Sequence, residues 1–272
     1  MSDPDARDFA PNLATRLAQA LGLLRSLAIY FGIPGRARRL RRFYAPWIGP
    51  GALCFDLGAH VGNHTRCWRR LGARVIAVEP QPLFARWLRA LFGRDAGVTL
   101  LEQAVGAEPG WARLQLSART PTVSTLASAW VARVRHTEHW RAVRWQPGPL
   151  VEVTTLDALI ARYGEPAYIK IDVEGFEREV LAGLRSAPRA LAFEYLPATL
   201  DLALQCLERL TQLGDYRFNW SVGESYRLRE THWLNAAAMS ARLRTLDRGA
   251  RSGDVLAVRV DALDRGDAGG TG

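Results

Sequence analysis

Between residues 50 and 260, apolar positions along this chain fall into short runs that alternate with longer amphipathic segments. The runs at 53–57, 75–78, 98–101, 168–173, 191–195 and 255–260 have the length and apolar content of buried strands. Segments with helical periodicity lie between most of these apolar runs, at 63–71, 83–92, 156–163, 176–184 and 200–213. This alternation predicts an α/β fold with a doubly wound, mostly parallel sheet and helices on both faces.

Two stretches interrupt this alternation, and a third ends the chain. Residues 107–150 contain Trp111, Trp130, Trp140 and Trp145 with little periodicity, which predicts an irregular insertion that forms a lid or binding loop. Residues 223–251 are irregular except for a predicted helix at 233–246. The Gly- and Asp-rich residues 261–272 are predicted to form a disordered tail. The main domain is therefore expected to span residues 50–260.

Residues 1–49 precede this domain as a helical, basic extension. Leu13, Leu17, Leu21 and Leu24 recur at helical spacing and predict an amphipathic helix. A dense run of arginines follows at residues 36–42. One interpretation is peripheral membrane contact through residues 13–47, made by an apolar helix beside a basic patch. The other is a helical cap on the edge of the domain, whose arginines are simply solvated.

Composition narrows the class of partner and the compartment. The chain has 48% hydrophobic and 23% charged residues, as globular proteins do. Its net charge of +9 comes almost wholly from arginines spread along the whole chain, since Lys170 is the only lysine. That spread indicates a compositional bias and does not favour a nucleic-acid partner. Three cysteines without paired spacing and an acidic N-terminus predict a cytoplasmic protein, with the membrane periphery as the alternative.

The turn after the first predicted strand has features of a cofactor site. Gly58 and Gly62 leave the backbone bare between the strand and the next helix. Asp56 precedes the turn and Glu79 follows the second predicted strand, so both carboxylates are expected at the carboxyl edge of the sheet. The spacing matches neither a dinucleotide nor a P-loop fingerprint. A carboxylate here can accept hydrogen bonds from a ribose hydroxyl or an ammonium group, which predicts a nucleoside-type ligand.

The predicted strand at 168–173 carries charges on one face. Lys170, Asp172 and Glu174 alternate with apolar residues, so a period of two places the three together. Buried charges are costly unless they pair or face a site. One interpretation is catalytic: Lys170 orients a hydroxyl or stabilises an alkoxide while Asp172 or Glu174 accepts the proton. The other is a structural cluster of ion pairs. Glu194 either joins an acceptor site or pairs with an arginine.

Two motifs resemble a known family. The run Asp56-Leu-Gly-Ala-His-Val-Gly62 resembles motif I of class I S-adenosylmethionine-dependent methyltransferases. The run Tyr168-Ile-Lys-Ile-Asp-Val-Glu-Gly-Phe-Glu177 resembles the signature block of FkbM-type methyltransferases, and the likeness covers roughly residues 50–260. It implies a Rossmann-like seven-stranded sheet, S-adenosylmethionine as the methyl donor, and O-methylation of a hydroxyl on a glycan or a small natural-product metabolite.

The resemblance also implies roles for particular residues. Glu79 would bind the ribose hydroxyls, and Gln103 and Ala104 would lie near the adenine. The loop and the helix that follows would support the methionine part through Asp56, Gly58, His60, Gly62, Asn63 and Thr65, with Asp172 nearby. A small Ser/Thr cluster and a later acidic residue are assigned to the acceptor site, namely Ser124, Thr125 and Glu194. His60 departs from the family, which often has Gly or Asn there, and its role stays open.

Other interpretations remain at this point. A nicotinamide-dependent Rossmann-fold protein would bind at the same edge of the sheet, but the chain lacks GxGxxG. A non-catalytic protein of the same fold is the second alternative. The histidine pairs His60/His64 and His136/His139 have spacings that metal ligands can use, yet no Cys/His quartet exists, so no metal is predicted. The acceptor is expected to be a saccharide or another small hydroxylated molecule.

Overall fold

The structure is a computed structural model, and it describes residues 13–117, 120–137 and 140–267. Its strands are β1 (Leu53–Leu57), β2 (Arg74–Val78), β3 (Val98–Leu101), β4 (Ala104–Val105), β5 (Gly110–Leu116), β6 (Gln146–Thr154), β7 (Tyr168–Ile171), β8 (Ala190–Tyr195), β9 (Tyr216–Trp220) and β10 (Gly253–Arg259). Its helices are α1 (Leu13–Phe31), α2 (Arg36–Tyr44), α3 (Asn63–Arg70), α4 (Pro82–Phe92), α5 (Ser128–Val134), α6 (Leu156–Tyr163), α7 (Glu177–Ala182), α8 (Leu200–Leu213), α9 (Ala236–Arg244) and α10 (Val260–Asp267).

Seven strands form the main sheet in the order β3-β2-β1-β7-β8-β10-β9. All neighbours pair in parallel except β10, which is antiparallel to both β8 and β9. The order runs outward in both directions from β1, as expected of a doubly wound sheet. The predicted fold class is therefore confirmed.

The core lies on both faces of this sheet because side chains of β1 and β7 alternate between them. On one face, Phe55, Leu57 and Ile169 pack with residues of α6 to α9. On the other face, Cys54 and Tyr168 pack with residues of α2, α3 and α4. Strands buried on both sides explain why the sequence showed apolar runs there.

The interval 107–150, predicted to be irregular, contains ordered elements. Strands β5 and β6 pair with each other, and β6 also pairs with β4 to form a separate three-stranded sheet. Helix α5 lies between β5 and β6, and its Trp130 packs against Trp140 and Trp145. The centroids of these rings lie 5.2 to 5.9 Å apart, so the indoles form a small core of their own. Trp111, in contrast, is 68% exposed.

The C-terminal end of the chain differs from the prediction, whereas the N-terminal helix agrees with it. Residues 261–267, predicted to be disordered, belong to α10, and residues 268–272 lie outside the described residues. The predicted N-terminal helix is present as α1, and the arginine run forms α2. Among the described residues, no single helix is long and apolar enough to cross a bilayer. Residues 17–31 of α1 and 36–44 of α2, taken together, have the length and apolar composition of a membrane span, but the two helices are bent by 68° relative to each other.

Candidate active site

A cavity opens at the carboxyl ends of β1 and β7, where the strand order reverses. Open α/β sheets bind ligands at such a point because the loops leaving the two strands diverge there. The walls of this first cavity come from the loops after β1, β2, β3 and β7 and from the segment between β5 and α5. The predicted site residues that line it are Gly58, His60, Asn63, Glu79, Gln103, Ala104, Ser124, Thr125, Asp172 and Glu174.

Gly58 lies where the loop after β1 passes closest to the loop after β7. Its φ is +79°, and a Cβ here would stand 1.9 Å from the carbonyl oxygen of Asp172. Glycine is required because the left-handed conformation and the backbone contact both exclude a side chain. Gly58 therefore presents bare backbone to the cavity, as the sequence predicts.

Three residues predicted to contact the cofactor, Asp56, Gly62 and Thr65, lie behind the cavity wall instead. The backbone N–H and the hydroxyl of Thr65 both donate to Oδ2 of Asp56, at 2.9 and 2.5 Å, and this fastens the first turn of α3 to β1. Burial raises the pKa of Asp56 to about 6, although the hydrogen bonds from Thr65 oppose the shift. Gly62 precedes α3 at φ +80°, and a Cβ there would stand 2.6 Å from the Phe92 ring. These residues shape the loop.

Glu79 follows β2 with its carboxylate in the cavity wall. Its Oε2 accepts a hydrogen bond from the backbone N–H of His60, and its Oε1 accepts one from that of Gln81, both at 2.8 Å. Burial raises the pKa of Glu79 to about 7, and the two backbone hydrogen bonds oppose that shift. Each oxygen keeps a lone pair for another donor, so the carboxylate is oriented and still able to bind hydroxyl groups.

His60 packs as an aromatic residue in the middle of the loop. Its φ is +50°, and its ring lies edge-on to Phe84 and Tyr30, with centroids 4.1 and 5.4 Å away. Burial lowers the pKa of His60 to about 4, so the imidazole is neutral at physiological pH. Its Nε2 is buried and has no hydrogen-bond partner within the described part of the chain. The residue both stiffens the loop and offers a free ring nitrogen near the cavity.

Unpartnered polar atoms at this cavity fit the polar end of S-adenosylmethionine. Asn63 is 8% exposed and lines the cavity, and its side-chain Nδ2 finds no hydrogen-bond partner among the residues described. Such an amide can donate to the carboxylate of the methionine part. Gln103, Ala104 and Leu114 line the region beyond β3, where an adenine ring would meet both polar and apolar groups. The first cavity thus has the chemistry that this donor requires.

Ser124 and Thr125, predicted to belong to the acceptor site, line this same first cavity. Ser124 Oγ accepts from the backbone N–H of Ser117 at 3.3 Å and from Nε2 of Gln81 at 3.4 Å. The Thr125 hydroxyl donates to the carbonyl of Val173 at 3.4 Å. The hydroxyls therefore tie the segment between β5 and α5 to the loops of the main sheet. In the sequence, Ser124 and Thr125 lie between the third and fourth predicted strands, and nothing there indicates that they line the first cavity.

A second cavity adjoins the first, and helix α1 and residues 248–252 form its outer wall. The residues shared by both cavities are Tyr30, Pro121, Thr122, Asp172, Glu174 and Glu224. Glu194 lines the second cavity, as does Trp140. Ligands held in the two cavities would meet at the shared residues.

Lys170 is buried in β7 and lines neither cavity. Its Nζ lies 3.0 Å from Oδ2 of Asp172 and 2.9 Å from Oδ1 of Asp254. Burial opposes the charged ammonium, but the two carboxylates outweigh this cost and raise the pKa of Lys170. The predicted direct contact of Lys170 with an acceptor is thus absent from this arrangement, and Lys170 instead acts on Asp172.

Three carboxyl groups meet at the boundary between the cavities. Oxygens of Asp172, Glu174 and Glu194 lie within 4.8 Å of one another. Burial opposes the ionisation of Asp172, but Lys170 outweighs it and lowers the pKa. Burial and neighbouring carboxylates raise the pKa of Glu174 and of Glu194. Asp172 is therefore the ionised member. Carboxyl groups at this spacing share protons or a cation, and the predicted absence of a metal stays a prediction.

Three residues of this region, Tyr30, Glu224 and Asp254, were not predicted from the sequence. Tyr30 lies on α1, which looked like a separate extension, and Glu224 lies in a stretch without periodicity. Asp254 was missed because its place beside Lys170 depends on the pairing of β10 with β8. The antiparallel pairing of β10 with β8 places Asp254 directly opposite Glu194.

Comparison with known proteins agrees with this geometry. A family model described as the methyltransferase FkbM domain matches residues 56–203, more than half of the chain. A search of curated proteins gave no significant match.

Several solved structures share the general chain path at low similarity. A TehB-like S-adenosylmethionine-dependent methyltransferase from Corynebacterium glutamicum is 12% identical, with 92% of this chain and 100% of that chain covered and a TM-score of 0.44. An O-methyltransferase from Bacillus cereus, solved with S-adenosylhomocysteine, is 13% identical, with 93% of each chain covered and a TM-score of 0.41. A precorrin-6Y C5,15-methyltransferase from Geobacter metallireducens is 13% identical, with 82% and 87% covered and a TM-score of 0.43. Likeness at this level says nothing about the substrate.

The matched region begins at Asp56 and contains every predicted donor residue and all of β7. This match favours methyl transfer over nicotinamide chemistry, and the resemblance noted in the sequence is confirmed. The chain belongs to the FkbM family of methyltransferases, and its methyl donor is S-adenosylmethionine.

Proposed function

We propose that this protein transfers a methyl group from S-adenosylmethionine to a hydroxyl oxygen of a saccharide or a small natural-product metabolite. The observation that carries the proposal is the boundary between the two cavities, where ionised Asp172 stands beside Glu174 and Glu194. Carboxyl groups there can bind several hydroxyls of an acceptor and take a proton from one of them. The family match supports methyl transfer, and the choice of a hydroxyl acceptor rests on these carboxyl groups.

In this proposal the first cavity holds the donor. Glu79 accepts hydrogen bonds from the ribose hydroxyls, and Gln103 and Ala104 border the adenine. Asn63 and the backbone at Gly58 bind the amino-acid end, where no side chain intervenes at the glycine. When bound, the donor supplies an electrophilic methyl group on a positively charged sulfur. Holding this methyl group in line with the acceptor oxygen contributes most of the rate enhancement.

Asp172 is the proposed proton acceptor. It borders both cavities, and its side chain is 36% exposed, so an acceptor in the second cavity can reach it. The acceptor oxygen forms a bond to the methyl carbon while the carbon–sulfur bond breaks, and the hydroxyl proton passes to the carboxylate. Lys170 is a positioning residue, because its ammonium keeps Asp172 ionised and oriented.

The test incubates the purified protein with S-adenosylmethionine and a panel of saccharides and small hydroxylated metabolites. Mass spectrometry then identifies the methylated product and the atom that carries the methyl group. We expect Asp172→Asn to bind S-adenosylmethionine like the wild type in isothermal titration, but to turn over about a hundredfold more slowly or less.

Glu152→Gln is the matched control, since Glu152 is exposed on β6 and lines neither cavity. It should leave both binding and turnover unchanged. Methylation of amines or carbon atoms alone would end the O-methyl proposal. Full turnover by Asp172→Asn would remove Asp172 from the reaction while leaving methyl transfer itself intact.

A further inference from the structure

Helix α1 turns a row of leucine side chains away from the protein. Four leucines form one stripe at helical spacing. They are Leu13 (73% exposed), Leu17 (59%), Leu21 (67%) and Leu24 (61%). The opposite side of the helix, which faces the protein, carries the buried Gly22 and Ser26. A surface helix in water has the reverse arrangement, so the stripe requires an apolar medium outside the protein.

Helix α2 follows after a bend of 68° and carries positive charge on its outer side. It is anchored by Leu40 and Tyr44, which are buried in the core. Its exposed residues include Arg38, Arg39, Arg41 and Arg42. Within the described part of the chain, none of these four has a carboxylate oxygen within 4.0 Å. The charge is therefore available to an external anion.

A cleft between α2 and α3 gathers further guanidinium groups. Arg36, Arg41, Arg66 and Arg70 line it together. The Nε of Arg36 is buried and lacks a hydrogen-bond partner among the described residues, while its Nη1 donates to the carbonyl of Ile29. Guanidinium groups bind phosphate through paired N–H donors, so a cleft of this composition fits a phosphate group.

We propose that α1 and α2 dock this protein on the surface of an anionic phospholipid bilayer. The leucine stripe enters the boundary of the acyl chains, and the exposed arginines of α2 and the cleft bind phosphate head groups. An apolar face beside unpaired cations matches such a membrane in both polarity and charge. A second copy of this chain would complement the leucines but not the charge, since it carries the same net +9.

Helix α1 also borders the second cavity, on the side of the helix opposite the leucine stripe. Ser26, Ile29 and Tyr30, all on α1, line that cavity. If methyl transfer proceeds as proposed above, membrane contact brings the acceptor cavity next to the bilayer. The arrangement then favours an amphiphilic acceptor, with a hydroxylated head group attached to a lipid.

The test is sedimentation of the full-length protein with vesicles, without donor or acceptor. We expect binding to vesicles of phosphatidylcholine mixed with phosphatidylglycerol, and little binding to phosphatidylcholine alone. Two triple variants, Leu17→Asn/Leu21→Asn/Leu24→Asn and Arg38→Gln/Arg41→Gln/Arg42→Gln, should each lower the partition coefficient about tenfold or more. All six positions are exposed, so the fold should survive, and titration with S-adenosylhomocysteine checks this.

Two control variants change the same residue types elsewhere. Leu91→Asn/Trp111→Asn alters exposed apolar side chains of α4 and β5, and Arg162→Gln/Arg244→Gln removes exposed arginines of α6 and α9. Both should bind vesicles like the wild type. Unchanged binding by the leucine variant would overturn the proposal, as would equal binding to neutral vesicles. A wild-type dimer that the leucine variant dissociates would assign the stripe to a second copy instead. Because no donor is present, none of these results depends on methyl transfer.

Discussion

Glu79 and Asp172 are both carboxyl groups in the wall of the first cavity, yet their pKa values shift in opposite directions. Burial raises the pKa of Glu79 to about 7, because its partners are neutral backbone N–H groups. At Asp172 the charge of Lys170 outweighs burial and lowers the pKa. One carboxyl group therefore titrates near physiological pH, and the other stays ionised.

We expect the affinity for S-adenosylhomocysteine to rise with pH between about 6 and 8. The ribose hydroxyls donate to an ionised carboxylate, whereas Glu79 is mostly protonated below its pKa of about 7. Affinity is therefore lost as the pH falls through that value, by up to about tenfold per unit. Isothermal titration at three pH values measures the change. His60 contributes none of it, because its pKa of about 4 leaves it neutral throughout.

Glu79→Gln is the control for this pH dependence. Its amide keeps an oxygen acceptor but does not titrate, so affinity should be about tenfold weaker than for the wild type at pH 8 and independent of pH. A pH-independent affinity in the wild-type protein would contradict the assignment of Glu79 to the ribose.

Lys170→Met is expected to lower the free energy of unfolding by about 1 to 3 kcal/mol, because it leaves Asp172 and Asp254 without a countercharge. Their side chains are 36% and 19% exposed, so the loss is smaller than for a fully buried pair. Urea unfolding measures this. Asp254→Asn/Lys170→Met should recover part of the loss, since one of the uncompensated charges is gone. The single variant Lys170→Met should also shift the pH dependence of turnover to higher pH, because the pKa of Asp172 rises when the ammonium group is removed. Unchanged stability and an unchanged profile would show that Lys170 has neither role.

At the scale of elements, the loop between β1 and α3 combines two different uses of glycine. Gly58 permits the close approach of the loop after β7, and Gly62 permits the packing of α4 against the start of α3. Both have positive φ, so the sequence pattern alone could not separate them. The neighbouring elements decide which glycine borders the ligand.

Gly58→Ala and Gly51→Ala form a matched pair, because their φ values are +79° and +77°. A Cβ at Gly51 would meet nothing within 4 Å, whereas one at Gly58 would stand 1.9 Å from a carbonyl oxygen. Gly51→Ala should cost about 1 to 2 kcal/mol of unfolding free energy from backbone strain alone. Gly58→Ala should cost clearly more and abolish donor binding. Equal losses in urea unfolding would show that the loop relaxes around the new side chain.

The sequence predicted most strands of the main sheet and the helices between them. The bounds of α6 and α8 match the predicted ranges 156–163 and 200–213, and all six predicted strands are present. Strand β9 was missed because Arg217 and Asn219 interrupt its apolar residues. Asn219 is buried all the same, since its side-chain amide donates to the carbonyl of Glu230 at 2.9 Å. The alternation of Tyr216, Phe218 and Trp220 with polar residues is the local pattern that could have revealed this strand.

At the scale of the whole molecule, the site concentrates buried acidic groups. Burial raises the pKa of Asp56 to about 6 and those of Glu79, Glu177 and Glu224 to about 7. These groups bind protons in the folded protein at pH values where the unfolded chain has released them. The stability that they contribute is present at low pH and is lost as the pH rises through about 7.

We therefore expect the free energy of unfolding of the ligand-free protein to fall by about 1 to 3 kcal/mol between pH 6.5 and pH 8. His60 and His64 oppose the trend. Burial lowers their pKa values to about 4 and 3, so their contribution to stability increases as the pH rises through the pKa of an unfolded histidine. They offset only part of it, since they are two groups against these four and against Glu174 and Glu194, whose pKa values are also raised. Urea unfolding at four pH values measures the slope.

Glu177→Gln should reduce that slope by removing one of the four groups. The amide keeps an oxygen that can accept the hydrogen bonds from the backbone N–H groups of Val173 and Gly175. Stability that rises steadily from pH 6.5 to pH 8 would contradict the assigned direction of these pKa shifts.

The sequence by itself determined the parallel sheet, the turn at Gly58 and the carboxylate at Glu79, because strand periodicity and backbone freedom are local properties. Only the tertiary structure decided what each polar residue does. It turned Asp56 toward Thr65, enclosed Lys170 between two carboxylates and brought α1 to the edge of the second cavity. These contacts join residues far apart in the chain, and their energies depend on burial and distance, which exist only once the strands have paired.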